Sequence, residues 1–321
     1  MTEDRKNDGL DPEIRSFVKK MGELWREHPP LSSLPLPEQR RVAEKVRSYW
    51  SKGGPVMART TEKAVPTGDG KTVRIRLLDP TPQGPKPALL YLHGGGWTIF
   101  SIDTHDRIMR EYAARAGMVV IGIDYSLSPE AKFPRALDET VAVVRWLREN
   151  GAAVGVDHRR IVIGGDSAGA AMTIASCMML RDAGELGTVK GMLLNYGAFD
   201  VACDTESYGK YGKGGYLWDE GEMAAFWNNY LRDDADRRNP LAVPMLADVS
   251  GLPPAFLATP DCDVMYSESV VMGEKLRRAG VLAQTAVYPG ATHSFLEAVS
   301  VARVTNRAYD EAARWLKDMV A

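Results

Sequence analysis

Ser167 stands in Gly165-Asp166-Ser167-Ala168-Gly169, after the β-branched run Arg160-Ile161-Val162-Ile163 and before an Ala- and Met-rich stretch that reads as a helix. A G-x-S-x-G sequence in strand-turn-helix context holds a serine hydroxyl at the positive end of the following helix, with glycines where a Cβ would obstruct the turn. The chemistry this prepares is nucleophilic attack on a carbonyl carbon. An oxygen that becomes negative during such attack needs backbone donors, and His93-Gly94-Gly95-Gly96-Trp97 follows the run Ala88 to Leu92 directly. Three glycines in succession free the amides of Gly94, Gly95 and Gly96 to turn inward, together with the amide of Ala168. A phosphate cradle would carry Lys, Ser or Thr after its glycines, and Trp97 stands there instead.

A serine hydroxyl near neutral pH needs a base, and histidine is the usual one. Hydrolases with such an elbow place nucleophile, acid and base in that chain order. Of the five histidines only His293 follows Ser167, in Tyr288-Pro289-Gly290-Ala291-Thr292-His293-Ser294-Phe295. The orienting acid is expected after the run Ala255 to Ala258, where Thr259-Pro260-Asp261-Cys262-Asp263 offers Asp261 and Asp263 equally on spacing. Asp233, Asp234 and Asp236 read as a solvated turn. His28, His105 and His158 show no metal-ligand spacing and read as structural. Asp166 divides between tuning the elbow through hydrogen bonds and simple surface solvation. Cys177, Cys203 and Cys262 form no C-x-x-C pair and read as reduced, packed thiols, and attack by a serine activated by histidine requires neither a metal nor an organic cofactor.

These groups need a frame. Short β-rich runs at Val73 to Leu78, Ala88 to Leu92, Met118 to Ile123, Arg160 to Ile163, Met192 to Leu194, Ala255 to Ala258 and Ala286 to Tyr288 alternate with helical segments, among them Asp138 to Glu149, Ala168 to Arg181, Glu268 to Ala279 and Val301 to Val320. That alternation predicts an α/β fold with a mostly parallel, doubly covered sheet. Two amphipathic helices precede it. One starts at Asp11-Pro12 and one lies around Val42 to Trp50, with no strand signal in the first sixty residues. Asp200 to Val243 interrupts the alternation, and Asp219 and Glu222 form a capping box ahead of Met223, Phe226, Trp227 and Tyr230. Residues 1–58 are therefore expected as an N-terminal helical cap segment and 59–321 as the catalytic domain, with a cap insertion at about 200–243.

Composition narrows the function classes. The chain has 321 residues and a formal net charge of -2, which gives no basic surplus for nucleic acid. Its apolar runs are too short to span a membrane, and Met1 to Glu13 lacks a secretory h-region, so a cytoplasmic protein is expected. A homodimer is neither required nor excluded.

His93-Gly94-Gly95-Gly96 together with Gly165-Asp166-Ser167-Ala168-Gly169 resembles the hormone-sensitive-lipase-like family of α/β-hydrolases. Asp103-Thr104-His105-Asp106-Arg107, Asp124-Tyr125-Ser126-Leu127-Ser128-Pro129-Glu130 and Tyr288-Pro289-Gly290 extend the resemblance over nearly the whole chain, most closely toward the enterobacterial acetyl esterases. The resemblance implies hydrolysis of short-chain acyl esters through Ser167, His293 and Asp263. Asp263 is favoured over Asp261 because the family's acid opens an Asp-Pro-Leu tripeptide that maps onto Asp263-Val264-Met265. It also implies a helical cap over the acyl and alcohol pockets, with Trp97, Tyr196 and Trp218 expected in the lining. Val264, Met265, Ser126 and Ser294 depart from the family pattern. An amide or a sugar-bound acetyl group is the rival substrate, and a ligand receptor of the same fold the rival class; such a receptor lacks the histidine present here as His293.

Overall fold

The computed structural model describes residues 9–321, so residues 1–8 of the expected cap segment lie outside the described residues. The chain opens on helix α1 (Pro12–Arg26), with Pro12 at its first position and Asp11 Oδ1 accepting from the Glu13 amide at 2.8 Å. Ile14, Phe17 and Met21 form its buried stripe. Helix α2 (Leu36–Arg47) follows the proline-rich break and buries Val42, Ala43, Val46 and Arg47.

Eight strands then build one sheet: β1 (Arg59–Pro66), β2 (Thr72–Asp79), β3 (Lys86–Leu92), β4 (Val119–Asp124), β5 (Val156–Asp166), β6 (Val189–Asn195), β7 (Ala255–Cys262) and β8 (Ala283–Thr292). Their spatial order is β1-β2-β4-β3-β5-β6-β7-β8. β1 and β2 pair antiparallel, as do β2 and β4, and every pairing from β4 through β8 is parallel. Parallel strands need covered faces, and the central ones read accordingly: β3 and β6 are almost wholly buried. The cover comes from α3 (Asp106–Ala116), α4 (Arg135–Asn150), α5 (Ala168–Asp182), α8 (Tyr266–Arg278) and α9 (Arg303–Met319). α3 packs on α9 and α4 on α5. α5, apolar on nearly every side, is buried around its circumference, as a helix at the centre of a domain must be.

The insertion between β6 and β7 holds α6 (Glu206–Tyr211) and α7 (Glu220–Tyr230). α7 begins with the expected capping box: Asp219 accepts from the Glu222 amide at 2.9 Å, and Glu222 accepts from the Asp219 amide at 3.0 Å. The frame differs from the sequence expectation in three places. β1 is an edge strand with a largely exposed, polar sequence and so carries no apolar alternation to announce it. β5 continues past Ile163 through Gly164, Gly165 and Asp166, which brings Ser167 directly to the strand end. α3 and α6 are helices that the apolar pattern did not single out. Among the described residues, no helix is long and apolar enough to cross a membrane.

Candidate active site

The sheet delivers its chemistry at the carboxyl ends of β3, β5, β7 and β8. Ser167 follows β5 with φ 55° and ψ −120°, a left-handed backbone that L-residues adopt only when their surroundings enforce it. The enforcement is visible. The Ser167 amide donates to Asn195 O at 2.9 Å, and Ser167 O accepts from the amides of Ala170 and Ala198 at 3.0 and 3.2 Å. A Cβ on Gly165 would lie 2.2 Å from Leu92 O and one on Gly169 1.9 Å from the same atom, so both flanking positions require glycine.

His293 follows β8, and its Nδ1–H donates to Asp263 Oδ2 at 2.8 Å. A carboxylate only accepts, so Nδ1 is the donor of this contact, and in the neutral imidazole Nε2 is then the acceptor. Both side chains are buried, at 2% and 1% exposure. Asp263 Oδ1 accepts from the Met265 amide at 3.0 Å. That bond asks for a backbone N–H two residues on, which Asp-Val-Met supplies as well as Asp-Pro-Leu. Asp261 is occupied elsewhere: its Oδ1 accepts from the Gly290 amide at 2.7 Å, tying β7 to β8. Of the two aspartates that spacing offered equally, Asp263 is the one hydrogen-bonded to His293.

Ser167, His293, Gly95 and Gly96 line one chamber together with Trp97 and Trp218. Gly95 and Gly96 take φ values of 112° and 56°. Gly94 departs from its expected role. Its amide donates to Asp166 Oδ1 at 3.1 Å and is not free to meet a substrate oxygen. The Ala168 amide opens α5, where the first amides of a helix have no partner within the helix. Tyr196 also departs. It is buried with φ 37°, packs edge-on against His293 at 4.8 Å between ring centroids, and does not line the chamber.

Asp166 is a buried structural anion. It accepts from Tyr91 Oη at 2.9 Å and lies 3.4 Å from His105 Nε2. Burial works to raise its pKa, yet the neighbouring His105 and the Tyr91 hydroxyl hold it below the ordinary carboxylate range. By gripping the Gly94 amide it ties the glycine loop to the elbow. His93, the residue before that loop, stacks on Tyr125 at 4.3 Å between centroids, and burial pushes its pKa down to about 3, so its imidazole is neutral. Ser126, where the family often has arginine, donates to Glu139 Oε1 at 2.6 Å, and Arg135 Nε donates to the same oxygen at 2.7 Å.

Arg47, Phe100, His105, Met223 and Phe226 also line the chamber and were not singled out from the sequence as site residues. Arg47 reaches in from α2, donates to Ser294 Oγ at 3.1 Å, pairs with Glu297 and lies over the Phe100 ring. Its signal was a lone arginine on the buried stripe of an amphipathic helix. The three cysteines are buried, and burial raises Cys203 to about 11 and Cys262 to about 12, which keeps both as inert thiols. Among the described residues, no group of three or more His, Cys, Asp or Glu is arranged to hold a metal ion.

Residues 89–297 match the family model described as the alpha/beta hydrolase fold. An ethyl acetate hydrolase from Pseudomonas putida is 32% identical over 298 residues, covering 91% of this chain and 93% of the relative. An ester hydrolase from the metagenome of Lake Arreo, solved with a derivative of bipyridine phosphonate, superposes with a TM-score of 0.89 at 34% identity, over 96% of this chain and 98% of that one. A hyperthermophilic esterase from Pyrobaculum calidifontis superposes with a TM-score of 0.90 at 30% identity, over 97% and 99%. Sequence motifs, sheet topology and these likenesses agree, and the chain belongs to the α/β-hydrolase family.

Proposed function

We propose that this chain is a serine carboxylesterase that cleaves short-chain acyl esters. The observation that carries the reading is the buried His293–Asp263 contact of 2.8 Å on the wall of the chamber that Ser167 also lines. Similarity to the ethyl acetate hydrolase and to the solved esterases supports the bond type.

The arrangement supports the following steps. Ser167 Oγ attacks the ester carbonyl carbon while His293 Nε2 takes its proton, and the carbonyl π electrons move onto oxygen. The amides of Gly95, Gly96 and Ala168 receive that oxyanion. The C–O bond to the alcohol then breaks, His293 returns the proton to the leaving alkoxide, and an acyl-Ser167 ester remains. Water, deprotonated by His293, repeats the sequence on the acyl group and frees the carboxylic acid and Ser167. Asp263 stabilises the imidazolium in both halves without taking its proton. The short-chain limit is supported by similarity to the ethyl acetate hydrolase and by the aromatic walls that Trp97 and Trp218 give the chamber.

The test compares p-nitrophenyl acetate with p-nitroacetanilide for the wild type and for Ser167→Ala. Ester turnover should exceed anilide turnover, and the substitution should lower kcat by roughly a millionfold. A Ser167→Ala protein as active as wild type would sink the reading, and faster anilide cleavage would move the substrate to amides.

A further inference from the structure

A chamber with about 10 Å³ of free volume is at the lower limit for holding a single water, so no ester enters it unless a wall yields. Most of the wall is fixed. Trp97 stacks on Tyr230 at 4.2 Å and an interplanar angle of 9°, and Phe100 lies under the Arg47 guanidinium at 4.3 Å. Among the residues lining the chamber only Phe226 is not buried. Its ring rests on the glycine loop: a Cβ on Gly96 would meet Phe226 Cγ at 2.2 Å. Behind it lies a second cavity of about 730 Å³, within the range of small-molecule sites. Trp25, Leu31, Ile99 and Leu217 give that vestibule its apolar walls, and Trp218 and Phe226 belong to both spaces.

We propose that Phe226 is a specificity-determining residue: its ring closes the catalytic chamber against the vestibule, and its rotation admits an ester whose bulky apolar moiety then occupies the vestibule while the acyl carbon stands at Ser167. A partly exposed aromatic side chain on a helix face has room to change rotamer, on a timescale far shorter than turnover. The moiety is an alkyl chain or an aryl group in either case, and it comes from the acyl or the alcohol side of the ester. This inference rests on the ester-hydrolase reading and deepens it.

Two substrate series test it. One lengthens the acyl chain of p-nitrophenyl esters from acetyl to dodecanoyl; the other enlarges the alcohol of acetate esters from ethyl to naphthyl. In Phe226→Ala the kcat/KM ratio of large to small ester should rise about tenfold in at least one series, and in Phe226→Trp it should fall below the wild-type ratio. The series that responds names the part of the ester that the vestibule receives. Ratios equal to wild type in both series and both variants overturn the proposal. Phe226→Leu, which keeps most of the apolar volume, carries the same test if the alanine protein does not fold. Labelling of Ser167 by a fluorophosphonate separates the two levels: no adduct removes the ester-hydrolase reading, whereas a normal adduct with flat ratios removes only the role of Phe226.

Discussion

Ser167, Asp263 and His293 stand at the ends of three strands held in one hydrogen-bonded ladder, whereas Trp218, Met223 and Phe226 stand on and beside a single helix between irregular segments. The glycines of the two regions show the difference. On the strand side, a Cβ at Gly165 or Gly169 runs into the carbonyl of Leu92, and one at Gly94 comes within 2.4 Å of Asp166 Oδ2. In the insertion, a Cβ at Gly209, Gly214 or Gly215 meets nothing within 4 Å, and the crowded position, Gly212, meets only Tyr208 of the turn before it. The floor is packed to the limit that sterics allow, and the roof is loosely tied. Positions that must hold atoms to a fraction of an ångström belong on the first, and positions that must admit varied substrates belong on the second.

The largest expected effect tests the floor. Asp263→Asn should lower kcat about ten-thousandfold, because an amide can hold the wrong tautomer of His293 and cannot stabilise its charge. Asp261→Asn should leave kcat within about tenfold and show itself as a lower melting temperature, since Asp261 serves the Gly290 amide. Steady-state kinetics and thermal melts of both proteins decide, and a reversed order of the two losses would move the acid to Asp261.

The second effect reads the floor by pH. The imidazole of His93 has a folded pKa depressed to about 3 by burial, while in the unfolded chain it titrates near 6.5. Below the unfolded value the unfolded state therefore binds the extra proton, so the stability that His93 contributes is complete above pH 6.5 and is lost as pH falls from there toward 3. By pH 5 the loss should reach about 2 kcal/mol. Melting temperatures at pH 7 and pH 5 should differ less in His93→Gln than in wild type, and equal differences would remove His93 as the acid-sensitive group.

The smallest effect tests the roof. Asp219→Ala breaks the capping box of α7 and should cost about 1 kcal/mol, with kcat/KM for a small ester changed by no more than about threefold. A fall in activity comparable to that of Asp263→Asn would show that the roof is held as tightly as the floor.

The floor was also the more legible region in the sequence. Ser167 and His293 were found because an elbow, a glycine loop and chain order are local patterns with steric causes. Asp263 needed the family resemblance to separate it from Asp261, because both precede α8 at similar spacing and only a hydrogen bond distinguishes them. Gly94 was grouped with Gly95 and Gly96 because sequence cannot say which amide a distant carboxylate has already taken. β1 escaped notice because an exposed edge strand buries too little to impose alternation. In the roof, Phe226 fell on the same periodic face as Met223, Trp227 and Tyr230, yet those three are buried and it is not. Periodicity identifies the face of a helix and not which residue on it meets a cavity.

The Arg47 contact with Ser294 joins residues 247 positions apart in the chain. One lies at the end of α2 and the other follows β8. During synthesis, the arginine must therefore wait, through the assembly of most of the sheet, for the loop that carries His293 to emerge. Until that loop has left the ribosome, the imidazole, its carboxylate partner and the helix that backs their loop cannot all be in place. The backing of the His293 loop by α2 thus forms only when two segments separated by most of the sheet have met.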